Sequence, residues 1–252
     1  MSQLAGDAPV GQHRRMAAIE QLRAFVKAAR KRGAAWVPLL DVVRLLPTAE
    51  GRARLWTRAV HRSRVHQTTP YTEDERYPEL FDLAARLKPD AKRVLSFGCA
   101  TGEEIISLRR RFPAAEIVGA EINPRSRRIA GRRLAPDPRV TVLAPDRIAG
   151  EFDIIFALAV LQREPHKVEE LELADLTAIY PFDRFDSAVE ELARHLSPGG
   201  LLCVMHAQYR VEDSSSAGLL EPLPGPTFPG LMFGRDGRPL EGAVAGSIFR
   251  RR

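Results

Sequence analysis

The stretch VLSFGCATGEE, residues 94–104, joins an apolar segment to a glycine-punctuated loop and then to two consecutive acids. The apolar segment predicts a buried β-strand. Gly98 and Gly102 lack a Cβ, so the loop between them can turn tightly and let a ligand approach its backbone. Glu103 and Glu104 predict the first turn of a helix, where the helix dipole favours negative charge. The stretch therefore predicts a strand, a ligand-binding loop and a helix in succession.

The chain beyond residue 90 continues this alternation of strand-like and helical segments. Strands are predicted at RVLSFG, EIVGAEI, VTVLA, FDIIFAL and GLLCVMHAQ, and helices at EEIISLRRRF, PRSRRIAGRRLA and FDSAVEELARHL. Helical segments of this length between strands imply right-handed crossovers, so we predict an α/β fold with a doubly wound, mostly parallel sheet. Towards the end, LMFGRDGRPL predicts a hairpin around Asp236-Gly237, and GSIFRRR predicts a last edge strand.

The N-terminal segment differs from the rest in charge. Residues 1–66 hold 13 Lys and Arg against 4 Asp and Glu, a balance of +9, whereas the remainder holds 25 against 28. Apolar residues at intervals of three and four predict an amphipathic helix over residues 12–32. A further helix is predicted within residues 51–67, with Leu55, Ala59 and Val60 on its apolar face. We predict that residues 1–70 form an arginine-rich helical cap and residues 71–252 the ligand-binding domain.

Several classes of function are disfavoured. The chain has no run of about 18 apolar residues, so no membrane span is expected, and its N-terminus lacks the apolar region of a signal peptide, which favours a cytoplasmic protein. Its two cysteines, Cys99 and Cys203, are too few and too far apart for a disulfide framework or a zinc site, so we predict no metal. The phosphate-binding patterns GxxxxGK[ST] and GxGxxG are absent. Two acids at a helix start repel a pyrophosphate, which favours a ligand that carries an amino group.

Five motifs resemble, in order and spacing, those of class I S-adenosylmethionine-dependent methyltransferases. They are VLSFGCATGEE, IVGAEINPRSRRIA, VTVLAPD, FDIIFALAVLQ and LARHLSPGGLLCVM, within residues 91–206. The first is most similar to the corresponding motif of the chemotaxis-receptor glutamate methyltransferases. The resemblance implies a Rossmann-like, seven-stranded sheet, S-adenosylmethionine as the cofactor and an enzyme that transfers methyl groups.

The same resemblance assigns cofactor-binding residues position by position: Gly98, Cys99, Ala100, Gly102, Glu103, Glu121, Ile122, Asp146, Arg147 and Ala157. Gly98 and Gly102 are expected to flank the methionine portion of the cofactor, with Glu103 near its amino group. The sequence leaves open which of Glu103 and Glu104 turns inward. Ser96 departs from the family, since many members carry an acid at that position.

The remaining assignments follow the later strands. Glu121 matches the acid that accepts hydrogen bonds from both ribose hydroxyls, and a carboxylate has two oxygens at the spacing that a diol needs. Asp146 matches the residue that contacts the adenine amino group, with Arg147 beside it. Ala157 and Leu158 are expected to border the sulfonium and its methyl group.

The acceptor is less well determined by the sequence. The stretch ALAVLQRE after the fourth strand lacks the Pro-Pro-aromatic motif of amino-methylating nucleic-acid enzymes. No catalytic residue is identified: His166 is a weak candidate for a base and Tyr71 for a lid over the cofactor and acceptor, with His206 and Tyr209 weaker still. A carboxylate is a nucleophile at neutral pH without a base, and the arginine-rich cap suits an anion. We therefore favour O-methylation of a small molecule, peptide or natural-product intermediate. An RNA methyltransferase that uses the basic segment and a non-catalytic cofactor-binding protein stay open as alternatives.

Overall fold

The computed structural model describes residues 42–61, 64–67, 72–228 and 230–252. The chain divides into two compact units, Met1–Gly51 and Arg52–Arg252, and the sheet and the candidate site belong to the second. The helix predicted over residues 12–32 lies outside the described residues. The division into a cap up to residue 70 and a ligand-binding domain beyond it stays a prediction.

Helices and strands alternate through most of the second unit. The helices are α1 (Ala49–Val60), α2 (Pro78–Leu87), α3 (Glu103–Arg111), α4 (Pro124–Leu134), α5 (Pro165–Leu171) and α6 (Phe182–Arg194). The strands are β1 (Arg93–Phe97), β2 (Glu116–Ala120), β3 (Val140–Leu143), β4 (Phe152–Leu158), β5 (Leu196–Met205), β6 (Leu220–Pro222), β7 (Met232–Phe233), β8 (Pro239–Leu240) and β9 (Ile248–Arg251).

Seven of these strands form one sheet in the order β3-β2-β1-β4-β5-β9-β6. Strands β1 to β5 are parallel, and β9 is antiparallel to both of its neighbours. The predicted doubly wound, mostly parallel seven-stranded fold is confirmed. Strands β7 and β8 form the hairpin predicted around Asp236-Gly237.

The predicted position of the last strand is wrong. Strand β9 lies inside the sheet, because β6 pairs with its outer side, with Leu220 opposite Arg251. The stretch around β6 is rich in Pro and Gly, which are depleted in strands, so its residue pattern does not predict an edge strand there.

Both faces of the sheet are covered, as the continuous apolar strands require. On one face, α2, α3 and α4 pack over side chains such as Val94 and Ile154. On the other, α5 and α6 pack over Leu95 and Ile155, and Phe185 of α6 is fully buried there. No helix in the described part of the chain has the length and apolar character needed to cross a bilayer.

Helix α1 buries a different residue most deeply from those predicted. Thr57 is buried, whereas Leu55 is half-buried and Ala59 and Val60 are exposed. The hydroxyl of Thr57 donates to the carbonyl of Ala53 at 2.8 Å, which satisfies the polar group within the helix and allows its burial.

Loops at the carboxyl ends of β1 and β4 meet closely. Gly98 has a φ of 83°, and a Cβ at this residue would lie 2.7 Å from Cγ2 of Val160, which follows β4. Gly102, with a φ of 96°, begins α3. Side chains are strained at such angles, so glycine at these two positions keeps the loop compact.

Candidate active site

A cavity of about 330 Å³ lies at the carboxyl ends of β1, β2 and β4. This is where an open parallel sheet binds ligands. One wall comes from the loops that follow these strands and includes Gly98, Ala100, Glu121, Ile122, Leu158 and Ala159. The opposite wall, called the second wall below, comes from α1, residues 64–67 and α6. The cavity therefore joins the predicted cofactor residues to a second set of side chains.

Glu121 is the buried acid of the first wall, with 7% of its surface exposed. Its Oε2 accepts a hydrogen bond from the Ala100 N–H at 2.9 Å, and its Oε1 accepts one from the Asn123 N–H at 2.6 Å. Burial raises the pKa of Glu121, and the backbone donors oppose that rise. Each oxygen has a second lone pair. The carboxylate therefore fits a ribose diol, with one acceptor for each hydroxyl.

Glu103 and Glu104 point in different directions. Glu103 forms an ion pair with Arg133 and accepts a hydrogen bond from the Thr101 hydroxyl. Burial raises the pKa of Glu103, but its contacts with Arg133 and Thr101 lower it overall. Glu104 accepts a hydrogen bond from the Ser96 hydroxyl at 2.6 Å.

Glu104 lines a small cavity together with Gly98 and Leu158, which also line the large one. Burial raises the pKa of Glu104 to about 7, against the lowering effects of the Ser96 hydrogen bond and the charge of Arg76. Many members of the family carry an acid at the position of Ser96. In this chain, Glu104 from the first turn of α3 brings a carboxylate to the Ser96 side chain instead. The arrangement suits a cation such as an ammonium group.

Asp146 and Arg147 lie in a short 3₁₀ turn after β3. Both are exposed, and both line a second cavity of about 390 Å³ that shares Ile122, Pro145 and Arg64 with the first. An adenine ring that extends from a ribose at Glu121 would reach this shared boundary.

The other predicted residues differ in placement. Gly102, Cys99 and Ala157 are buried beneath the cavity and do not line it. Burial raises the pKa of the Cys99 thiol well above its usual value, so it is not a nucleophile. His166 is exposed on α5 and lines neither cavity. Tyr71 lies outside the described residues.

Sequence reasoning missed His66, which lines the second wall and is 8% exposed. Its Nδ1 lies 2.6 Å from the Tyr180 hydroxyl. Burial, followed by the positive charges of Arg184 and Arg163, lowers the pKa of His66 to about 3, so its imidazole is neutral at physiological pH. A single histidine in a basic segment belongs to no motif, so only the fold identifies it.

Arginines are the other feature of the second wall. Arg54, Arg64 and Arg184 line it, with Glu191 as its acid. Arg163 lies behind them and donates to the carbonyls of Val65 and His66, each at 3.1 Å. The cavity thus has carboxylates at the end formed by the strand loops and guanidinium groups at the other. Among the described residues, no three His, Cys, Asp or Glu side chains are grouped as metal ligands.

A family model described as "Methyltransferase domain" matches residues 71–232, more than half of the chain. The match begins just before α2 and runs through the sheet strands β1 to β6. It includes every residue assigned above to cofactor binding.

Curated relatives carry methyltransferase names. A trans-aconitate 2-methyltransferase of Azoarcus sp. (strain BH72) is 33% identical over 176 residues, which cover 68% of this chain and 60% of that protein. A demethylmenaquinone methyltransferase of Thermus thermophilus is 32% identical and covers 49% of this chain and 50% of that protein. The chain therefore spans between half and 60% of the length of these relatives.

Among solved structures, the chain is similar to S-adenosylmethionine-bound CalS10, an amino pentose methyltransferase from Micromonospora echinaspora. The TM-score is 0.41 at 24% sequence identity, over 61% of this chain and 56% of that one.

Proposed function

The chain belongs to the methyltransferase-domain family of class I S-adenosylmethionine-dependent enzymes, and on that premise we propose that it transfers a methyl group to a carboxylate of a small molecule. One observation carries the proposal. A single cavity of about 330 Å³ joins Glu121, at the end that suits the cofactor, to a wall of arginines that suits an anion.

The cofactor end is assigned from the contacts of its acids. Glu121 accepts from both ribose hydroxyls, because each of its oxygens keeps a lone pair beyond its backbone hydrogen bond. Glu104, rather than Glu103, faces the ammonium group, since Glu103 is paired with Arg133. Asp146 contacts the adenine amino group. These roles are part of the proposal.

The acceptor end supports O-methylation of a carboxylate. When bound, S-adenosylmethionine supplies an electrophilic methyl group on a sulfonium. A carboxylate is ionised at neutral pH, so the chain needs only to hold it in line and exclude water. His66 is too weak a base to take a proton from an alcohol or amine at that pH. The name of the relatives, trans-aconitate 2-methyltransferase, supports an organic acid as the acceptor class.

Two measurements test the proposal: methyl transfer by the wild-type chain, and cofactor binding by the wild type and the Glu121→Ala variant. The wild-type chain is incubated with methyl-labelled S-adenosylmethionine and a panel of small carboxylic acids, and a base-labile methyl ester is expected. Binding of S-adenosylhomocysteine is measured by calorimetry. Loss of two charge-assisted hydrogen bonds of about 1.5–3 kcal/mol each predicts at least about tenfold weaker binding in the variant.

Glu116→Ala is the matched control, because Glu116 lies at the other end of β2 in an exposed ion pair with Arg93. Its affinity for S-adenosylhomocysteine should equal that of the wild type, and thermal melting of both variants shows that they fold. Unchanged affinity in Glu121→Ala would refute the ribose contact. Label transferred only to RNA, or to nothing, would refute carboxylate methylation.

A further inference from the structure

The second wall of the cavity holds Arg54, Arg64 and Arg184 with Glu191 as its acid, which is more positive charge than the single carboxylate of the proposed reaction balances. Within the described part of the chain, the guanidinium groups of Arg64 and Arg184 make no ion pair and no hydrogen bond. Arg184 is partly buried on α6, and Arg64 is exposed at the boundary between the two cavities. The guanidinium of Arg184 is partly removed from water, and an anionic group of a ligand would supply the counter-ion that it lacks.

The acid on this wall does not neutralise Arg184. Glu191 follows Arg184 by seven residues on α6, which is two turns and about 10 Å along the axis. Ser187 lies between them on the same face, and it too lines the cavity. A ligand group beside Arg184 therefore meets positive charge and a hydroxyl.

The hydrogen bonds of Tyr180 fix the tautomer of His66. Tyr180 is fully buried, and the only partner of its hydroxyl among the described residues is Nδ1 of His66. A buried hydroxyl proton without an acceptor destabilises the fold, so the hydroxyl donates to Nδ1. The ring proton is then on Nε2, which has no acceptor in the described part of the chain. His66 thus offers one N–H to whatever occupies the cavity.

The position of this donor is held from two sides. Tyr180 holds the ring, and Arg163 holds the backbone through the carbonyls of Val65 and His66. Burial, followed by the nearby charges of Arg184 and Arg163, lowers the pKa of His66 and keeps the imidazole neutral, so it is a fixed donor and not a further cation.

We propose that Arg64, Arg184 and the Nε2–H of His66 form an anion subsite that binds a second carboxylate of the acceptor, so that the acceptor is a di- or tricarboxylate. The inference rests on the proposed function. The carboxylate that is methylated lies beside the sulfonium, whose charge balances its own, so Arg64 and Arg184 are available to bind a second anionic group of the same ligand. A carboxylate can accept a two-point contact from a guanidinium and one further hydrogen bond from an imidazole.

Calorimetry with a tricarboxylate tests the subsite without turnover. Tricarballylate and, separately, butyrate are titrated into the full chain saturated with S-adenosylhomocysteine. Tricarballylate should bind at least tenfold more tightly than butyrate. Arg184→Gln and Arg64→Gln should each weaken tricarballylate binding at least tenfold. Arg184 does not line the second cavity, so Arg184→Gln should leave the affinities for butyrate and S-adenosylhomocysteine unchanged.

His66 is tested by a pair of variants. His66→Phe removes the N–H and should weaken tricarballylate binding, whereas His66→Gln keeps an amide N–H and should restore part of the affinity. Arg132→Gln, at an exposed arginine of α4, is the control and should bind like the wild type. Thermal melting of each variant separates loss of binding from loss of folding.

Equal binding of butyrate and tricarballylate by the wild type, or an unchanged preference in Arg184→Gln, would overturn the subsite. Tighter binding of inorganic phosphate than of tricarballylate would overturn the assignment to a carboxylate. Failure of the proposed function would give a different result. If tricarballylate binds and the binding depends on the arginines, but no carboxylic acid is methylated, the subsite is supported and only the proposed function is refuted. If S-adenosylhomocysteine does not bind, the same titration into the cofactor-free chain decides the matter.

Discussion

Glu104 is a carboxylate that the folded chain keeps largely out of water. The Ser96 hydroxyl donates a hydrogen bond to it, and burial raises its pKa to about 7. Near neutral pH, about half of these groups are ionised without a full counter-charge. A bound ammonium group would supply that charge, which is the physical reason to place the amino group of the cofactor there.

The raised pKa of Glu104 has a consequence for stability. Its folded pKa of about 7 exceeds the ordinary value of 4.5, so its stabilising contribution is complete below pH 4.5 and is lost as the pH rises through 7. A shift of this size corresponds to at most about 3 kcal/mol. We therefore expect Glu104→Gln to be more stable than the wild type at pH 8, and nearly equal at pH 4.5. Urea denaturation at both pH values measures the difference.

Glu103→Gln is the matched control, because Glu103 lies one residue away and its pKa is lowered overall by Arg133 and Thr101, despite burial. Its contribution has the opposite sign: it is present at high pH and is lost as the pH falls. This variant should be slightly less stable than the wild type at pH 8. A Glu104→Gln variant that is no more stable than the wild type at pH 8 would contradict the burial of an uncompensated carboxylate.

One residue, Asn123, contacts both helix α4 and Glu121, the acid proposed to bind the ribose. The side chain of Asn123 caps the helix by accepting from the N–H of Arg125 at 2.9 Å, and Pro124 occupies the first helical turn. The backbone N–H of Asn123 donates to Glu121. The start of the helix therefore fixes the end of β2, and with it the orientation of the carboxylate.

Asn123→Ala separates these two contributions. Loss of the cap should lower the free energy of unfolding by about 1 kcal/mol. The affinity for S-adenosylhomocysteine should fall by less than about threefold, because the backbone N–H to Glu121 remains. Asn123→Ser keeps a capping oxygen and should recover most of the stability. Denaturation and calorimetry on the same samples check both, and a loss of affinity as large as that of Glu121→Ala would contradict the separation.

Elements with a strong local pattern were predictable from the sequence, and long-range placements were not. Apolar runs and glycine punctuation identified β1 to β5, and the helical segments predicted to begin at Glu103 and Pro124 are α3 and α4. The inner position of β9 depends on pairing with β6, whose sequence has no strand pattern. His66 matters only because Tyr180, 114 residues away, meets its ring. The family motifs predict which residues bind the cofactor. The second wall could not be predicted, because the fold brings together residues of α1, 64–67 and α6 that are far apart in the sequence.

The cavity is lined by loops from three strands, so a ligand that binds there contacts both the centre of the sheet and helices α1 and α6. Unfolding of the second unit separates these walls. A cofactor that binds only the folded chain must therefore raise its stability by mass action. The loop after β1 and the acids at the start of α3 further restrict which cofactor does so.

S-adenosylhomocysteine at about 100 times its dissociation constant should stabilise the chain by about 2.7 kcal/mol. For a chain of 252 residues, this corresponds to a rise in melting temperature of about 5–10 °C. In Glu121→Ala, tenfold weaker binding at the same concentration reduces the stabilisation to about 1.4 kcal/mol, so the rise should be halved. ATP at that concentration should give no rise, because Glu103 and Glu104 occupy the helix start that a phosphate would need. A scanning calorimeter measures all three, and a larger rise with ATP than with S-adenosylhomocysteine would contradict the amino-group assignment of the loop.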